Sequence, residues 1–218
     1  MILIRLIGVR EYFFKWSPAE IHINKGRDFL DRGLDRGAEC YQRFINGDNS
    51  GLAELVEMYN DSVIFYINGF VNSIFASEDI AADTFTELII RKSRYKNEYM
   101  FKTWLYKIAR NNAIDYLRKQ SRWQTRPIED FENDLTENQR LENAVLKSEQ
   151  NKQLHSAMTN MHNEYRDVLH LVYFENMSYD QASTVMRKST KQIKNLVYRA
   201  KQALKMALEK EGFVYENL

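Results

Sequence analysis

Apolar residues recur every three or four positions through most of the chain, which is the spacing of amphipathic α-helices. One helix is predicted over 50–72, and a second begins near Ser77, a good N-cap residue followed by acidic residues. A third helix is predicted from Tyr99 to about Arg122, and one or two more over 151–175. The chain has only two prolines and eight glycines, which argues against a turn-rich β-sandwich. The pattern therefore predicts an all-α protein.

Two helix starts lie close together in the last fifth of the chain. Ser178 and Gln181 match the capping box. In this motif the serine side chain accepts from the backbone N–H three residues later, and the glutamine side chain at that position accepts from the serine N–H. Ser189 and Gln192 repeat this pattern, so a helix of about two turns, a short turn and a second helix are predicted. This is helix-turn-helix spacing. The turn of this motif often holds glycine, and Arg187 occupies that position here. If its φ is positive, Arg187 lowers stability by up to about 1 kcal/mol. The buried stripe of the second helix is predicted to be Ile193, Leu196, Val197, Ala200 and Leu204.

Charge is segregated along the sequence, although the 31 Lys and Arg nearly balance the 30 Asp and Glu overall. Residues 91–126 carry eleven bases and two acids, a net charge of +9, and residues 187–210 carry eight bases and one acid, a net charge of +7. Between them, residues 129–149 have a net charge of −5. Charge runs are often only solvated helix faces. Two basic blocks on predicted amphipathic helices nevertheless favour two modules that share one polyanionic partner.

The acidic stretch separates two small helical domains. It contains Pro127 and few large apolar residues, so 123–150 is interpreted as an extended linker. The first domain is then predicted over 44–122 and the second over 151–211. Residues 1–43 lack a convincing amphipathic pattern, so we expect a dispensable, disordered extension or an over-extended start of the reading frame. The alternative is a genuine extra helix or regulatory arm.

The third predicted helix has two unlike faces. Its apolar arc consists of Phe101, Trp104, Leu105, Ile108, Ala109 and Tyr116. Its opposite arc consists of Thr103, Lys107, Arg110, Asn111, Ile114 and Arg118. Asn112 and Asp115 fall near the apolar arc, which the pattern does not explain. Basic side chains neutralise phosphates and an amide can bind a base edge, so this helix is predicted to bind nucleic acid.

Several classes of function are disfavoured by composition. A single Cys40 excludes a disulfide framework and a Cys-rich zinc module, and fits a reducing cytoplasm. His155 and His162 lie seven apart but lack a third ligand, so we expect neither a metal nor a cofactor. Asp79 and Asp83 could be paired catalytic carboxylates, but no His, Cys or glycine-rich loop is in register with them. No apolar run approaches the ~18 residues that span a bilayer, and no signal-peptide cleavage site is evident. We therefore expect a soluble, helix-rich, cytoplasmic protein.

Three segments carry a resemblance to a known family: EDIAADTF at 78–85, FKTWLYKIARNNAIDYLRK at 101–119 and MSYDQASTVMRKSTKQIKNLVYRAKQAL at 177–204. They are similar to the second and fourth conserved regions of the extracytoplasmic-function (ECF, group four) sigma factors of bacterial RNA polymerase. The resemblance implies a subunit that binds core RNA polymerase and directs promoter recognition, DNA melting and transcription initiation. It also implies that the chain is not itself an enzyme, because the chemistry belongs to the core polymerase. The alternative is a helix-turn-helix regulator that binds DNA without polymerase. Such a regulator needs neither the acidic second helix nor the basic third one.

The resemblance also implies roles for individual residues. The second helix, with an acidic stripe at i, i+4 and i+8, matches the element that docks on core polymerase through Asp79, Asp83, Phe85 and Glu87. The family usually has Gln where this chain has Ala82, which weakens that contact.

DNA contacts are implied in both modules. Residues that match contacts to the minus-ten element and its melted non-template strand are Tyr95, Lys96, Asn97, Glu98, Lys107, Arg110, Asn111 and Arg118. Residues that match contacts to the minus-thirty-five element are Lys191, Lys194, Asn195, Tyr198, Arg199 and Gln202. The linker matches the segment that threads the polymerase. Because many relatives are held by an anti-sigma factor, such a factor is a further candidate partner.

Overall fold

The computed structural model describes residues 35–90, 95, 99–124, 157–158 and 160–210 of the chain. Every regular element in these residues is a helix, as predicted, and they contain no strand. The helices are α1 (Arg36–Ile45), α2 (Ser50–Val71), α3 (Ile74–Ile90), α4 (Phe101–Gln124), α5 (Asn163–Leu169), α6 (Tyr179–Met186) and α7 (Thr190–Lys210), and a π-helical turn (His170–Phe174) continues α5. We call α1–α4 the first module and the elements from α5 onward the second module.

Helix α1 lies in the core of the first module, which corrects the predicted boundary at residue 44. Cys40, Tyr41 and Phe44 are each no more than 3% exposed. The α1 and α2 backbones approach so closely that a Cβ on Gly51 would collide with the carbonyl oxygen of Cys40. The prediction failed because a short helix buried on one face gives too few periodic positions to recognise. Residues 1–34 lie outside the described part of the chain.

Asp35 joins the start of α1 to the start of α4. Its Oδ1 accepts a hydrogen bond from the backbone N–H of Ala38 at 3.0 Å, and its Oδ2 accepts one from the N–H of Phe101 at 2.7 Å. The first N–H groups of a helix have no partner within the helix, and one carboxylate satisfies such groups on two helices. Asp35 therefore stabilises the module although it lies 66 residues from Phe101 in sequence.

Asp35→Ala is expected to lower the stability of the first module, because both helices lose a capping hydrogen bond. A cap is worth about 1 kcal/mol, so the loss is about 2 kcal/mol and the melting temperature falls by roughly 4–8 °C. Thermal unfolding followed by circular dichroism measures this. Asp61→Ala, which removes an exposed acid from α2, is the control. Equal melting temperatures for the two variants would show that the double cap contributes nothing.

The start of α3 also differs from the prediction. The helix begins at Ile74, and Ser77 is buried inside it instead of capping it. The Ser77 hydroxyl donates to the carbonyl of Ser73 at 2.7 Å, and Ser73 Oγ accepts from the N–H of Ala76 at 3.4 Å. Serine can cap a helix or bond back to the preceding turn, and the sequence pattern does not distinguish the two.

The apolar arc of α4 packs as predicted, and the position of Asn112 is now explained. Phe101, Leu105 and Ala109 are fully buried. The amide of Asn112 donates to Thr84 Oγ1 at 3.2 Å and lies 3.4 Å from Glu87 Oε2, so it links α4 to α3. A partly buried amide on the apolar arc is thus satisfied within the module.

The second module packs directly on the first. Helix α5 contacts α2, and α6 contacts α4. The ring of His170, in the π-helical turn, lies 5.4 Å from that of Phe65 and 5.1 Å from that of Tyr66, both on α2. None of the described helices combines the length and apolar character needed to cross a bilayer.

Candidate nucleic-acid interface

The predicted helix-turn-helix is present, and both capping boxes form. Ser178 Oγ accepts from the N–H of Gln181 at 3.2 Å, and the Gln181 side chain accepts from the N–H of Ser178 at 2.7 Å. Ser189 and Gln192 make the same reciprocal pair at 3.2 and 2.7 Å. Helix α6 is eight residues long, close to the two turns expected. The two boxes therefore fix where α6 and α7 begin.

Helix α7 buries one stripe and exposes a polar one. Ile193, Val197, Ala200 and Leu204 are each at most 3% exposed, whereas Leu196 is only half-buried. The exposed face carries Lys191, Lys194, Asn195, Tyr198 and Arg199, with Gln202 half-buried beside them. No acid occurs in α7 before Glu209. An exposed face of this composition can neutralise phosphates and bind base edges in a major groove.

The turn between α6 and α7 places Arg187 in the left-handed region, with φ 54° and ψ 44°. This conformation favours glycine because a Cβ crowds the backbone there. The side chain of Arg187 is exposed. The chain therefore accepts local strain at the turn, as the sequence pattern indicated.

Arg187→Gly is expected to stabilise the second module by up to about 1 kcal/mol, because glycine removes the strain of a positive φ. The melting temperature rises by roughly 2–4 °C. Arg187→Ala is the matched control: it removes the same charge but keeps a Cβ, so it gives no such rise. Thermal unfolding of both variants distinguishes strain from charge. An equal rise in both would assign the effect to charge.

The acidic stripe of α3 is exposed. Asp79 and Asp83 face solvent one turn apart, beside Phe75, which is 58% exposed. Phe85 is 7% exposed and packs inward, so it positions the helix. Glu87 is half-buried next to Asn112. The surface of α3 thus presents two carboxylates and an aromatic ring to solvent.

The polar arc of α4 is only partly open to solvent. Lys107 and Asn111 are half-buried, and Asn111 makes no side-chain hydrogen bond within the described residues. Arg118 is 70% exposed and lies 3.3 Å from Asp115. Thr103, placed on this polar arc by periodicity, is instead fully buried. Helix α4 contacts α1, α2, α3 and α6, so it has neighbours on more sides than the single apolar arc that periodicity assigns to the core.

Arg110, a predicted strand-binding residue, forms an ion pair with the second module. Its Nε donates to Asp167 Oδ2 at 2.7 Å, and the Tyr66 hydroxyl donates to Asp167 Oδ1 at 2.7 Å. The side chains of Arg110 and Asp167 are 13% and 1% exposed. Burial raises the pKa of Asp167, and the charge of Arg110 and the two hydrogen bonds oppose that shift. The carboxylate depends on the first module for both partners.

A second ion pair joins the start of α4 to the second module. Lys102 Nζ lies 2.7 Å from Glu175 Oε2 and donates to the Glu175 carbonyl oxygen at 2.8 Å. His170 Nε2 lies 3.3 Å from Glu175 Oε1. Burial acts to raise the pKa of Glu175, but the close imidazole of His170 and the charge of Lys102 prevail and hold it at about 2. Glu175 is therefore ionised at neutral pH.

Four predicted minus-ten contacts precede α4, and Tyr95 is the one that the structure describes; its ring packs within the first module. It lies 5.7 Å from the rings of Tyr41 and Phe101 and 5.2 Å from that of Trp104. Its hydroxyl donates to the carbonyl of Tyr99 at 3.0 Å, and burial raises its pKa. Tyr95 thus helps to hold the aromatic cluster together. The other three predicted contacts, Lys96, Asn97 and Glu98, and the acidic linker lie outside the described residues.

Sequence reasoning did not single out Tyr66, Asp167 or Glu175. Each belongs to a helical stretch whose pattern predicted only a core or a surface position. An acid within an apolar helix was the one available signal, since a buried carboxylate requires a charged or hydrogen-bonding partner. The partner itself cannot be identified locally, because Arg110 lies 57 residues away.

In the described part of the chain, no group of three or more His, Cys, Asp or Glu is placed to hold a metal ion.

Two family models match the two modules. Residues 55–122 match Sigma-70 region 2, and residues 151–204 match Sigma-70, region 4. The first match includes α3 and α4, and the second includes the helix-turn-helix up to Leu204.

Curated relatives align along most of their length. The RNA polymerase sigma-H factor of Pseudomonas aeruginosa is 27% identical over 186 residues, covering 80% of this chain and 95% of that protein. The ECF RNA polymerase sigma factor SigM of Bacillus subtilis is 29% identical over 152 residues, covering 70% of this chain and 91% of that protein.

Solved structures share the fold. CnrH, in complex with the cytosolic domain of CnrY, superposes with a TM-score of 0.57 at 20% identity, covering 83% of this chain and 97% of CnrH. RpoE from Bartonella quintana, in complex with the anti-sigma factor NepR, gives a TM-score of 0.54 at 18% identity, covering 72% and 96%. Together with the two matched regions and the curated relatives, this places the chain among the extracytoplasmic-function sigma factors, which direct transcription initiation by bacterial RNA polymerase.

Proposed function

We propose that α3 docks on core RNA polymerase, that α4 and the residues before it bind the melted minus-ten strand, and that α7 binds the minus-thirty-five element. The observation that carries this proposal is the exposed face of α7, which contains no acid before Glu209. Helix α7 follows a short helix and a turn, and two capping boxes fix where the two helices begin. A helix presented in this way fits a major groove. The chemistry of RNA synthesis belongs to the polymerase, so the proposed role requires no catalysis by this chain. The proposed place of action is the cytoplasm, where the polymerase works.

Docking through α3 is supported by its exposed carboxylates. Asp79 and Asp83 make no ion pair within the described residues, although like charges one turn apart repel each other. A basic surface on the polymerase would offset the repulsion between Asp79 and Asp83, so docking explains why both carboxylates are present.

Strand binding through α4 is supported by the residues that remain accessible on its polar arc. Lys107 and Arg118 supply positive charge, and the Asn111 amide makes no hydrogen bond to another described residue. A melted strand exposes both phosphates and Watson–Crick edges, which match these two kinds of group. Lys96, Asn97 and Glu98 complete the proposed minus-ten surface.

An anti-sigma factor is a further proposed partner. CnrH has been solved in complex with the cytosolic domain of CnrY, and RpoE in complex with the anti-sigma factor NepR. A protein of that class would bind one or both modules of this chain and keep them from the polymerase.

Asn111→Ala is expected to reduce transcription from a duplex promoter while leaving core binding unchanged. Loss of a base contact costs about 1–3 kcal/mol, which is roughly a 5- to 150-fold loss of promoter activity. The measurement is run-off transcription with purified core polymerase, alongside a core-binding titration. Gln120→Ala, on an exposed part of the same helix, is the control. Unchanged transcription by Asn111→Ala would remove this residue from the strand-binding surface.

A further inference from the structure

We propose that Arg187, in the turn between α6 and α7, binds a phosphate group of the DNA duplex at the edge of the minus-thirty-five element. The inference rests on the proposed function, because it takes α7 to be the helix that enters the major groove. It adds one contact to the DNA backbone that the exposed face of α7 does not provide.

The backbone of Arg187 is strained in a way that a glycine would relieve. Its φ of 54° lies in the left-handed region, where a Cβ crowds the backbone. In the described part of the chain, the other non-glycine residues with a positive φ are Asn72 and Asn176. Asparagine enters this region because its short side chain bonds to the nearby backbone, and arginine has no such advantage. An arginine kept at such a position indicates a use for its side chain.

The turn holds the backbone of Arg187 in one place. Its N–H donates to the carbonyl of Ser183, and the N–H of Lys188 donates to the same carbonyl at 3.1 Å. The Thr190 hydroxyl donates to Asp180 Oδ1 at 2.7 Å, which joins the start of α7 to the start of α6. The side chain of Arg187 therefore extends from a backbone that is fixed on both sides. A binding group that is positioned in advance loses less conformational entropy when it binds.

Arg187 is the cation of the turn that faces solvent. Its side chain is exposed and makes no hydrogen bond or ion pair within the described residues. The next residue, Lys188, is half-buried, and its Nζ lies 2.9 Å from Glu164 Oε1 in α5. Lys188 thus stabilises the module itself, whereas Arg187 is available to an anion outside it.

The position of the turn indicates that this anion is a DNA phosphate. In a helix-turn-helix, the second helix inserts its N-terminal residues into the major groove. Arg187 comes three residues before Thr190, where α7 begins, and Lys191 in the first turn of α7 is exposed. Phosphates border the groove, so a long cationic side chain just before the inserted end lies next to the DNA backbone. A guanidinium group binds a phosphate through two parallel hydrogen bonds.

Arg187→Gly is expected to raise the melting temperature and yet weaken DNA binding, because it removes both the strain and the contact. Loss of a hydrogen bond to a charged group lowers affinity about tenfold. The loss is the same for promoter and random duplexes, and the salt slope falls by about one. Arg187→Ala gives the same loss of affinity without the rise in melting temperature. Arg187→Lys keeps the charge, so it keeps the salt slope and recovers part of the affinity.

The experiment measures binding of the reconstituted holoenzyme to a labelled duplex that carries a promoter it transcribes, by fluorescence anisotropy at several salt concentrations. Arg36→Ala, which removes an exposed base from α1 and makes the same change in net charge, is the control and leaves the affinity unchanged. Weaker binding by Arg187→Gly and Arg187→Ala, but not by Arg36→Ala, supports the proposal. Wild-type affinity in either Arg187 variant overturns it.

Methylphosphonates, which replace single phosphates of the duplex by uncharged groups, locate the contact. One such replacement at the edge of the minus-thirty-five element should weaken binding by the wild type and have no further effect on Arg187→Gly. If every replacement has the same effect on the two proteins, Arg187 binds no phosphate and the proposal is overturned.

Arg199→Ala separates this proposal from the proposed function, because Arg199 lies on the exposed face of α7. If Arg199→Ala weakens promoter binding and Arg187→Gly does not, only the phosphate contact fails. If neither variant weakens binding, α7 does not bind the minus-thirty-five element and both proposals fail.

Discussion

Arg199→Ala is expected to weaken promoter binding by about 1–3 kcal/mol, roughly 5- to 150-fold, and to relax the base preference at one minus-thirty-five position. Arg199 is exposed on the acid-free face of α7, next to Tyr198, which is 66% exposed. Neither side chain contributes to the buried stripe, so their loss leaves the helix intact. An exposed arginine on a helix presented to the major groove has the geometry to bind a guanine through two hydrogen bonds.

Lys205→Ala is the matched control for this effect. Lys205 is exposed farther along α7, where its Nζ lies 3.7 Å from Glu209 Oε1. It is expected to lower affinity uniformly across sequences and to reduce the salt slope by about one. Binding of the holoenzyme to a library of duplexes varied across the minus-thirty-five element measures both effects. If Arg199→Ala and Lys205→Ala weaken promoter and random duplexes equally, α7 does not bind base edges at Arg199.

Reversing the charge of the α3 stripe, with Asp79→Lys and Asp83→Lys together, is expected to abolish binding to core polymerase. Truncating one partner of a buried charge pair at an interface costs about 2–5 kcal/mol, and reversal adds repulsion. The expected loss of affinity is therefore more than about 100-fold. Both side chains are exposed, so folding should be unaffected.

The control for this double variant is Glu57→Lys with Asp61→Lys, which makes the same change of net charge on the exposed face of α2. A titration of labelled chain with purified core polymerase measures both. Similar losses of affinity in the two double variants would indicate a general charge effect. They would also remove α3 as the specific docking surface.

Local features of this fold were predictable from the sequence, whereas long-range polar contacts were not. The capping boxes at Ser178 and Ser189 and the strained turn at Arg187 each involve residues a few positions apart. The double cap by Asp35 and the ion pair between Arg110 and Asp167 join residues 66 and 57 positions apart. Periodicity identifies which face of a helix is buried, but it does not say which element covers it.

At the candidate site, too, features set by neighbouring positions were predictable, whereas features set by distant elements were not. The exposed face of α7 was predictable because every residue on it follows from one helical period. The partial covering of α4 was not, since the pattern of α4 alone treats Arg110 as a free cation and Thr103 as a surface residue. Tyr95 was predicted to contact the minus-ten strand, but its ring packs against three aromatic rings of the first module. One of these belongs to Tyr41, in a helix that the sequence pattern did not predict.

The most direct test of the account is transcription of a promoter library by purified core polymerase, with and without this chain, with the 5′ ends of the transcripts mapped by sequencing. If the chain is a sigma factor that contacts both elements, new start sites appear only in its presence and share one minus-ten and one minus-thirty-five motif at fixed spacing. Asp79→Lys with Asp83→Lys should remove all of these start sites. Duplex DNA binding by the chain with no new start sites would contradict the account, and would indicate a helix-turn-helix regulator that acts without directing the polymerase.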